Sequence, residues 1–489
     1  VPEVGEGLAL LSILVCHSYF LSFDEKQRER AKPYPPLATL QVASLLRGAG
    51  HRVSVFDAML ATGLDDYRAK LQAARPDVVV LYEDNYNFLS KMCLAKMRDA
   101  CCGMIAGARA ARARVIAAGS DASDAPDRYL EAGADAVLIG EGLAALLAIV
   151  DRLEADVSLP VERLVAGLPD VNASIGGGTQ RSSSAAPLPE PELPRLPARD
   201  LVDIDAYRAV WRRAHGYFSL NMAASRGCSF RCNWCAKPIW GNRYLQRAAA
   251  AVAAEMLSLK RDYAPDHVWF ADDIFGFRVD WVRDFAAVLR ADGGGVPFTI
   301  QMRADLASAG MAAELRGAGC REVWIGAESG SQKILDAMHK GTRVAEIAQA
   351  RRALGAEGIR VGFFLMLGYV GEELDDILAT RDLLERTRPD DIGVSVAYPL
   401  PGTKFFDRVK RDLGAKRNWD ESNDLDMMFF GTYRSEFYRS VRNLLHDQVA
   451  QGPSPTIRRR WDELVRSEAQ FRQRPPAPAA TRVAVHRAP

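Results

Sequence analysis

Eleven short runs of strand-forming residues punctuate this chain of 489 residues, and helix-period stretches separate them. That alternation constrains the fold more than any other feature. Continuous Val/Ile/Leu strands joined by crossover helices form a parallel sheet buried on both faces. The first array has strands at 11–16, 52–56, 77–81, 114–118 and 136–139, with helices expected over 37–46, 65–73, 88–108 and 125–131. It reads as a doubly wound, Rossmann-like α/β domain over 8–158, a design that places cofactors at the carboxyl ends of its strands.

The second array has strands at 217–223, 267–271, 298–302, 321–327, 361–367 and 392–397, each gap holding at least one amphipathic helix. A closed barrel of this kind takes about eight β/α units. Six units predict a partial, open (β/α)6 barrel over 206–404, with reactive residues at the carboxyl ends of its strands. Residues 159–205 read as a linker, with a Gly-rich hairpin or loop at 170–179 and an extended Pro-rich stretch carrying Pro187, Pro189, Pro191, Pro194 and Pro197. Residues 405–471 read as a helical C-terminal region, and the Pro/Ala/Arg-rich 472–489 as a disordered tail.

The formal net charge is +1, so no basic field argues for nucleic acid. The apolar stretch 8–16 follows Glu3 and Glu6 rather than basic residues, and reads as a buried strand rather than a leader. No run approaches the ~18–20 apolar residues of a membrane span, and a cytoplasmic chain is expected. Of eight cysteines, Cys16, Cys93 and Cys320 sit in apolar patterns and read as small buried hydrophobes, while Cys101 and Cys102 are adjacent and diverge on a helix.

The remaining three stand in Cys228-Ser-Phe-Arg-Cys232-Asn-Trp-Cys235, just after the first strand of the second array. Iron prefers thiolate, and three thiolates on a four-iron cubane leave one iron open. The rival is a zinc knuckle, which wants four Cys or His ligands. His215 and His267 are not at finger spacing.

This C-x3-C-x2-C spacing, with Trp234 before the last cysteine, resembles the signature of the radical S-adenosylmethionine (SAM) superfamily. The resemblance implies a 4Fe–4S cluster on Cys228, Cys232 and Cys235, whose open iron chelates SAM and cleaves it reductively to a 5′-deoxyadenosyl radical. It also implies SAM contacts at later strand ends: Phe270, Asp272 and Asp273 after the second, Arg303 after the third, and Glu328 and Ser329 of a G-x-E-S-G-like stretch after the fourth. Each has a bland reading: Asp272 and Asp273 as helix caps, Arg303 as a rim residue or partner of Glu328, Trp234 as core.

The domain ahead of the barrel is similar to the cobalamin-binding domain of the superfamily's cobalamin-dependent branch. Gly50-His51-Arg-Val53 through Asp57 fits a G-H-x-V-x-x-x-D pattern, and Gly119, Ser120, Asp121 and Ser123 with Gly140, Glu141 and Gly142 fit the last two strand ends, where small residues would admit the corrin and its tail. Asp121 stands where many relatives carry His. The D-x-H-x-x-G loop of cobalamin proteins with a histidine ligand is missing, and His17 and His51 read as structural.

The resemblance implies an enzyme acting on a small-molecule or natural-product substrate: hydrogen abstraction from an unactivated carbon, then methyl transfer from methylcobalamin, with an external electron donor such as a flavodoxin or ferredoxin. The alternatives are a non-methylating cyclase or oxidase of the same architecture, a non-catalytic Fe–S or zinc protein, and an RNA-modifying enzyme, for which a second three-cysteine domain or a basic appendage is wanting.

Overall fold

The computed structural model describes residues 10–175, 178–181, 196–235 and 243–473. The N-terminal strands are β1 (Ser12–Cys16), β2 (Arg52–Phe56), β3 (Val78–Tyr82), β4 (Arg114–Ala118) and β5 (Ala136–Leu138), followed by β6 (Val171–Ile175) and β7 (Gly178–Arg181). They form one sheet in the order β2-β1-β3-β4-β5-β6-β7, parallel through β5 and antiparallel beyond it. Successive residues point to opposite faces. Ile13 and Val15 of β1 enter one hydrophobic core, Leu14 and Cys16 the other. The chain reverses direction across the sheet between β1 and β3, and the crevice at such a switch point holds ligands.

The second unit follows β8 (Ser219–Met222) with a two-stranded ribbon of β9 (Ser225–Gly227) and β10 (Tyr244–Gln246). Then come β11 (His267–Phe270), β12 (Phe298–Met302), β13 (Cys320–Glu328), β14 (Arg360–Leu367) and β15 (Asp391–Val396). These last five and β8 make a six-stranded parallel sheet in the order β15-β14-β13-β12-β11-β8, the expected open barrel.

Several local expectations change. The helix read over 88–108 is two, Phe88–Lys91 and Ala95–Ala110, because Cys93 takes a left-handed φ of 54° and its carbonyl is taken by Asn418 Nδ2 at 2.8 Å. Residues 159–205 are not all linker: β6 and β7 extend the N-terminal sheet, and the helix Ile204–His215 begins inside it. Their Pro-rich part, 182–195, lies outside the described residues. Arg472, assigned to the tail, ion-pairs with Glu373 and Glu468 at 2.7 Å each; 474–489 lie outside the described residues. No helix among the described residues is long and apolar enough to cross a membrane.

The two units meet through their strands' carboxyl ends. Ala223 and Ala271, just past β8 and β11, pack with Leu37, and Tyr86 joins them from just past β3. Asn221 Nδ2 bonds the Pro35 carbonyl at 2.9 Å, and Trp211 Nε1 that of Pro33 at 2.7 Å.

Candidate active site

Cys228, Cys232 and Cys235 lie on the loop after β9, at the barrel mouth, as free thiols. Asn233 anchors the loop. Its backbone N–H donates to the Met338 carbonyl at 3.1 Å, its Nδ2 to the Ala337 carbonyl at 2.8 Å, and its Oδ1 accepts from the Tyr369 hydroxyl at 2.8 Å. Burial pushes the Cys235 thiol up to about 12, and the Asp273 carboxylate adds to the effect. Metal binding deprotonates such a thiol outright. Among the described residues no three His, Cys, Asp or Glu side chains converge on a single ion. A cubane makes a different demand, since each thiolate meets its own iron. Cys320 cannot serve as a fourth ligand: it opens β13, at the opposite end of the strands from the loop.

Arg303, after β12, stacks its guanidinium on the Phe230 ring at 3.8 Å and brings Nη1 within 3.8 Å of the Cys232 sulfur. Its other bonds go to Asp305, the Lys340 carbonyl and Thr342, not to Glu328. Glu328, at a φ of 60°, instead receives Lys340 Nζ at 2.7 Å, both groups buried. Burial alone would lower the Lys340 ammonium; the Glu328 carboxylate outweighs it and raises the net value. Ser329 builds the turn, its Oγ accepting from Ser331 N–H at 3.1 Å.

The aspartates divide. Asp272 is buried and accepts from Ala224 N–H and Ser225 Oγ, which braces β8 to the ribbon; burial pushes it to about 7 against those bonds. It does not stand free for an ammonium as the sequence suggested. Asp273 already holds one, Lys91 Nζ at 2.5 Å, sent across from the N-terminal domain. Phe270 is core, edge-on to Phe285 and Phe298, and not a contact at the mouth. Trp234 packs partly buried beside the small core that holds Ile334 and Met338, with its Nε1 unpartnered.

On the facing side, Gly119 has no room for a side chain: a Cβ would sit 2.8 Å from the Glu83 side chain. Ser123 Oγ donates to the Gly119 carbonyl at 2.8 Å and accepts from Gly140 N–H at 3.0 Å, tying the ends of β4 and β5 together. Gly142, at a φ of 59°, opens the helix Leu143–Ala155. Glu141 ion-pairs with Arg226 of β9 across the domain boundary. Asp121 is clamped by Arg98 at 2.6 and 2.5 Å and by the Tyr129 hydroxyl at 2.8 Å. His17 is bound to Asp57 at 2.9 Å, and Tyr207 holds the second Asp57 oxygen at 2.6 Å. Burial would lower His17, but the Asp57 bond and charge raise it overall. It is thus structural, as is His51, buried at the start of β2, away from the domain boundary.

The profile of the Radical SAM superfamily matches residues 222–384, and that of the B12 binding domain matches residues 28–150. An uncharacterized methyltransferase of Pyrococcus horikoshii is 25% identical over 296 residues, 60% of this chain and 62% of that protein. A tRNA-2-methylthio-N(6)-dimethylallyladenosine synthase of Prosthecochloris aestuarii is 25% identical over 277 residues, 54% of this chain and 62% of its own length. The chain thus spans under two thirds of these relatives. The radical SAM methyltransferase TsrM of Kitasatospora setae, solved with cobalamin and a [4Fe–4S] cluster, superposes with a TM-score of 0.64 at 19% identity over 82% of this chain and 75% of its own, which is a likeness of fold. Barrel, cysteine loop and profile together define a radical SAM domain. A B12-binding domain is joined ahead of it, the domain pair expected of the cobalamin-dependent branch of that superfamily.

The two domains imply a 4Fe–4S cluster, SAM and cobalamin. The residues fit. Beside the cysteine loop, Trp234 Nε1 and the Tyr244 hydroxyl are buried without partners, and at the carboxyl ends of β3 and β4 so are both amide atoms of Asn85 and the hydroxyls of Ser90 and Ser120. Buried polar groups are seldom left so. Sequence reasoning missed Asn85, Lys91, Arg98 and Lys340, because lone polar residues carry no spacing pattern.

Glu372, past β14, accepts from Gly368 N–H at 2.6 Å through one oxygen, while its other oxygen and the nearby Tyr438 hydroxyl are unpartnered. Burial pushes its carboxyl up to about 8 from 4.5. Across that window the folded state keeps a proton that the unfolded chain releases, so stability falls as pH rises. Glu372→Gln keeps the acceptor and has no proton to lose. Its Tm should therefore fall less than that of the unaltered protein between about pH 5 and 8. Parallel decline in thermal unfolding would rule the assignment out.

Proposed function

We propose that the chain is a cobalamin-dependent radical SAM C-methyltransferase acting on a small molecule. The observation that carries this is the juxtaposition of the cysteine loop and the strand ends of the B12-binding domain across one boundary, closed by Arg226–Glu141 and Lys91–Asp273. When bound, cluster and SAM supply a 5′-deoxyadenosyl radical that takes hydrogen from an unactivated carbon, and cobalamin supplies the methyl group. Cys228, Cys232 and Cys235 hold the cluster, and Arg303 offsets thiolate charge at Cys232. Glu328, steadied by Lys340, and Asp273 would hold SAM; Ser120, Ser123 and the Gly140–Gly142 turn, with Asn85, would hold cobalamin. Lys91 must yield Asp273 if the SAM ammonium is to take its place.

The relative acting on tRNA raises methylthiolation. Against it, Cys16, Cys93 and Cys101 are buried hydrophobes without the C-x3-C-x2-C spacing of a second cluster loop. Cysteines with no disulfide among them support a cytoplasmic reading.

The test is a reconstituted protein assayed anaerobically with methyl-labelled SAM. Iron and cobalt are counted, the visible spectrum is recorded, and label is followed into cobalamin alongside 5′-deoxyadenosine. Failure to bind cobalt after hydroxocobalamin loading discards the reading. Turnover without label transfer favours the cyclase or oxidase alternative.

A further inference from the structure

The six-stranded sheet of the barrel does not close on itself, and basic side chains from both domains gather at its open side. β8 and β15 are its two edges. Along β8 runs a segment of the N-terminal unit: Asn221 Nδ2 donates to the Pro35 carbonyl at 2.9 Å, and the Tyr34 hydroxyl lies 3.0 Å from Ser219 Oγ. Just before this segment stands the helix Glu25–Arg30. Against β15 packs the helix Ser435–Gln451. Across the seam between the two edges, Lys26 and Arg30 of the first helix meet Arg442 and His446 of the second.

Three cations and an imidazole thus share one recess. Lys26 Nζ donates to the Ser422 carbonyl at 3.3 Å, and the Arg442 guanidinium to the Asn443 amide oxygen at 2.9 and 3.1 Å, both neutral acceptors. Among the described residues none of the four forms an ion pair, although their helix neighbours Arg28 and Arg439 pair with Glu25 and Asp426. Lys26, Arg442 and His446 are half-buried and Arg30 is exposed. Burial, then Arg30 and Arg442, lower the Lys26 ammonium to about 8, against a smaller pull from Asp24. Burial and then Arg442 lower His446, with Arg30 and Lys26 adding to the effect and Asp391 opposing it. Cations gathered in a partly dry recess repel one another and concentrate anions there.

The seam adjoins an interior that side chains do not fill. Ile392 and Val396 of β15 join the core outside the barrel, so Gly393 and Ser395 turn inward, and both are half-buried. Beside them Trp324 stacks on Phe364 at 4.8 Å. Two glycines let these rings lie against the wall: a Cβ on Gly362 would stand 2.6 Å from the Trp324 ring, and one on Gly393 3.1 Å from the Phe364 ring. Both rings are only half-buried, whereas layers of side chains pack the inside of a closed barrel. We propose that Lys26, Arg30, Arg442 and His446 bind the anionic group, a carboxylate or a phosphate, of a small-molecule substrate whose body enters the barrel at this seam. Its assignment as substrate rests on the enzymatic reading above. The ammonium and guanidinium groups donate charge-assisted hydrogen bonds to either anion.

The test uses the full chain in phosphate-free buffer of low ionic strength. Inorganic phosphate and benzoate are titrated separately by calorimetry into the parent and into a variant combining Lys26→Gln and Arg442→Gln. At least one anion should bind the parent, more weakly as chloride rises, and should bind the variant about tenfold or more weakly. Tighter phosphate binding names a phosphorylated substrate, and tighter benzoate binding a carboxylate. Without anion the variant should unfold at no lower temperature than the parent, since only repulsion has been removed. The parent gives a second reading that needs no variant. Acetylation of Lys26 by acetic anhydride, followed by mass spectrometry, should slow when the anion is present, while the exposed Lys404 is labelled at an unchanged rate. Equal affinity in parent and variant, binding of neither anion, or Lys26 labelling that the anion leaves unchanged overturns the proposal. So does a variant that is less stable without anion, because the cations would then be structural. The titrations need neither cluster nor turnover, so absence of SAM cleavage counts against the enzymatic reading alone.

Discussion

Cys232→Ala is expected to abolish both iron binding and reductive SAM cleavage, leaving a folded chain with the iron content of background. The three thiols at 228, 232 and 235 share one loop, and Cys320, the other cysteine of the barrel, opens β13 at the far end of the strands. Cys232 is also the thiol approached by a guanidinium, Arg303 Nη1 at 3.8 Å, which offsets the charge a thiolate would carry. Removing such a supporting group costs about 10–100-fold in metal affinity or activity, and removing a ligand should exceed that. Cys320→Ala is the matched control. Its sulfur is buried at the opposite end of β13, where burial holds the thiol well above its ordinary value, and iron should be unaffected. Iron and sulfide counts with the 5′-deoxyadenosine yield give the answer. Full iron in Cys232→Ala would place the cluster elsewhere.

The candidate cluster loop is legible in the sequence because it is local. Three thiols meant for one cluster would stand within eight consecutive residues, 228 to 235. Strands buried on both faces likewise announce themselves, as the three valines, leucine and tyrosine of Val78–Tyr82 do. What the sequence hid is long-range. Glu141 and Arg226 are 85 residues apart, and Lys91 and Asp273 are 182 apart, so neither pair leaves a spacing signal. Asp272 and Asp273 are neighbours with the same side chain, yet one braces the ribbon and the other receives a lysine from another domain. Phe270 was read with them by position along the strand. Its direction across the sheet, into the aromatic core with Phe298, depends on a pleat the motif does not encode. The helix Leu143–Ala155 escaped notice because its first eight residues are all apolar, which hides the stripe of Leu143, Leu146, Ile149, Val150 and Leu153 that it buries.

Gly330→Ala is the second change with a large expected effect, and its cause is not the one the motif suggests. Resemblance reads Gly330 as the end of a SAM-contacting stretch. In the structure the chain turns sharply after β13, Ser329 N–H reaching back to the Ala327 carbonyl at 2.8 Å, and Gly330 N–H donates to Thr380 Oγ1 at 2.8 Å. A Cβ on Gly330 would stand 2.3 Å from the Ala379 carbonyl oxygen and 2.6 Å from the Thr380 Cα. These are backbone atoms of the helix Leu374–Thr387, so no side chain can rotate away and the helix must move as a body. Overpacking a well-filled site costs about 1–3 kcal/mol, and a backbone clash belongs at or above the top of that range. Thr380→Ala separates this from the loss of one bond. It leaves space, forfeits the hydroxyl, and should cost about 1 kcal/mol as the half-buried Gly330 N–H loses its partner. The displaced helix in Gly330→Ala also pushes on Ser329 and Glu328, so SAM affinity should fall in that variant even where the cluster loads normally. Thermal unfolding, iron content and SAM binding by equilibrium dialysis measure the three effects together. A Gly330→Ala protein as stable as the parent would mean that the helix yields freely there, and that the glycine is kept for contact with SAM rather than for the approach of two backbones.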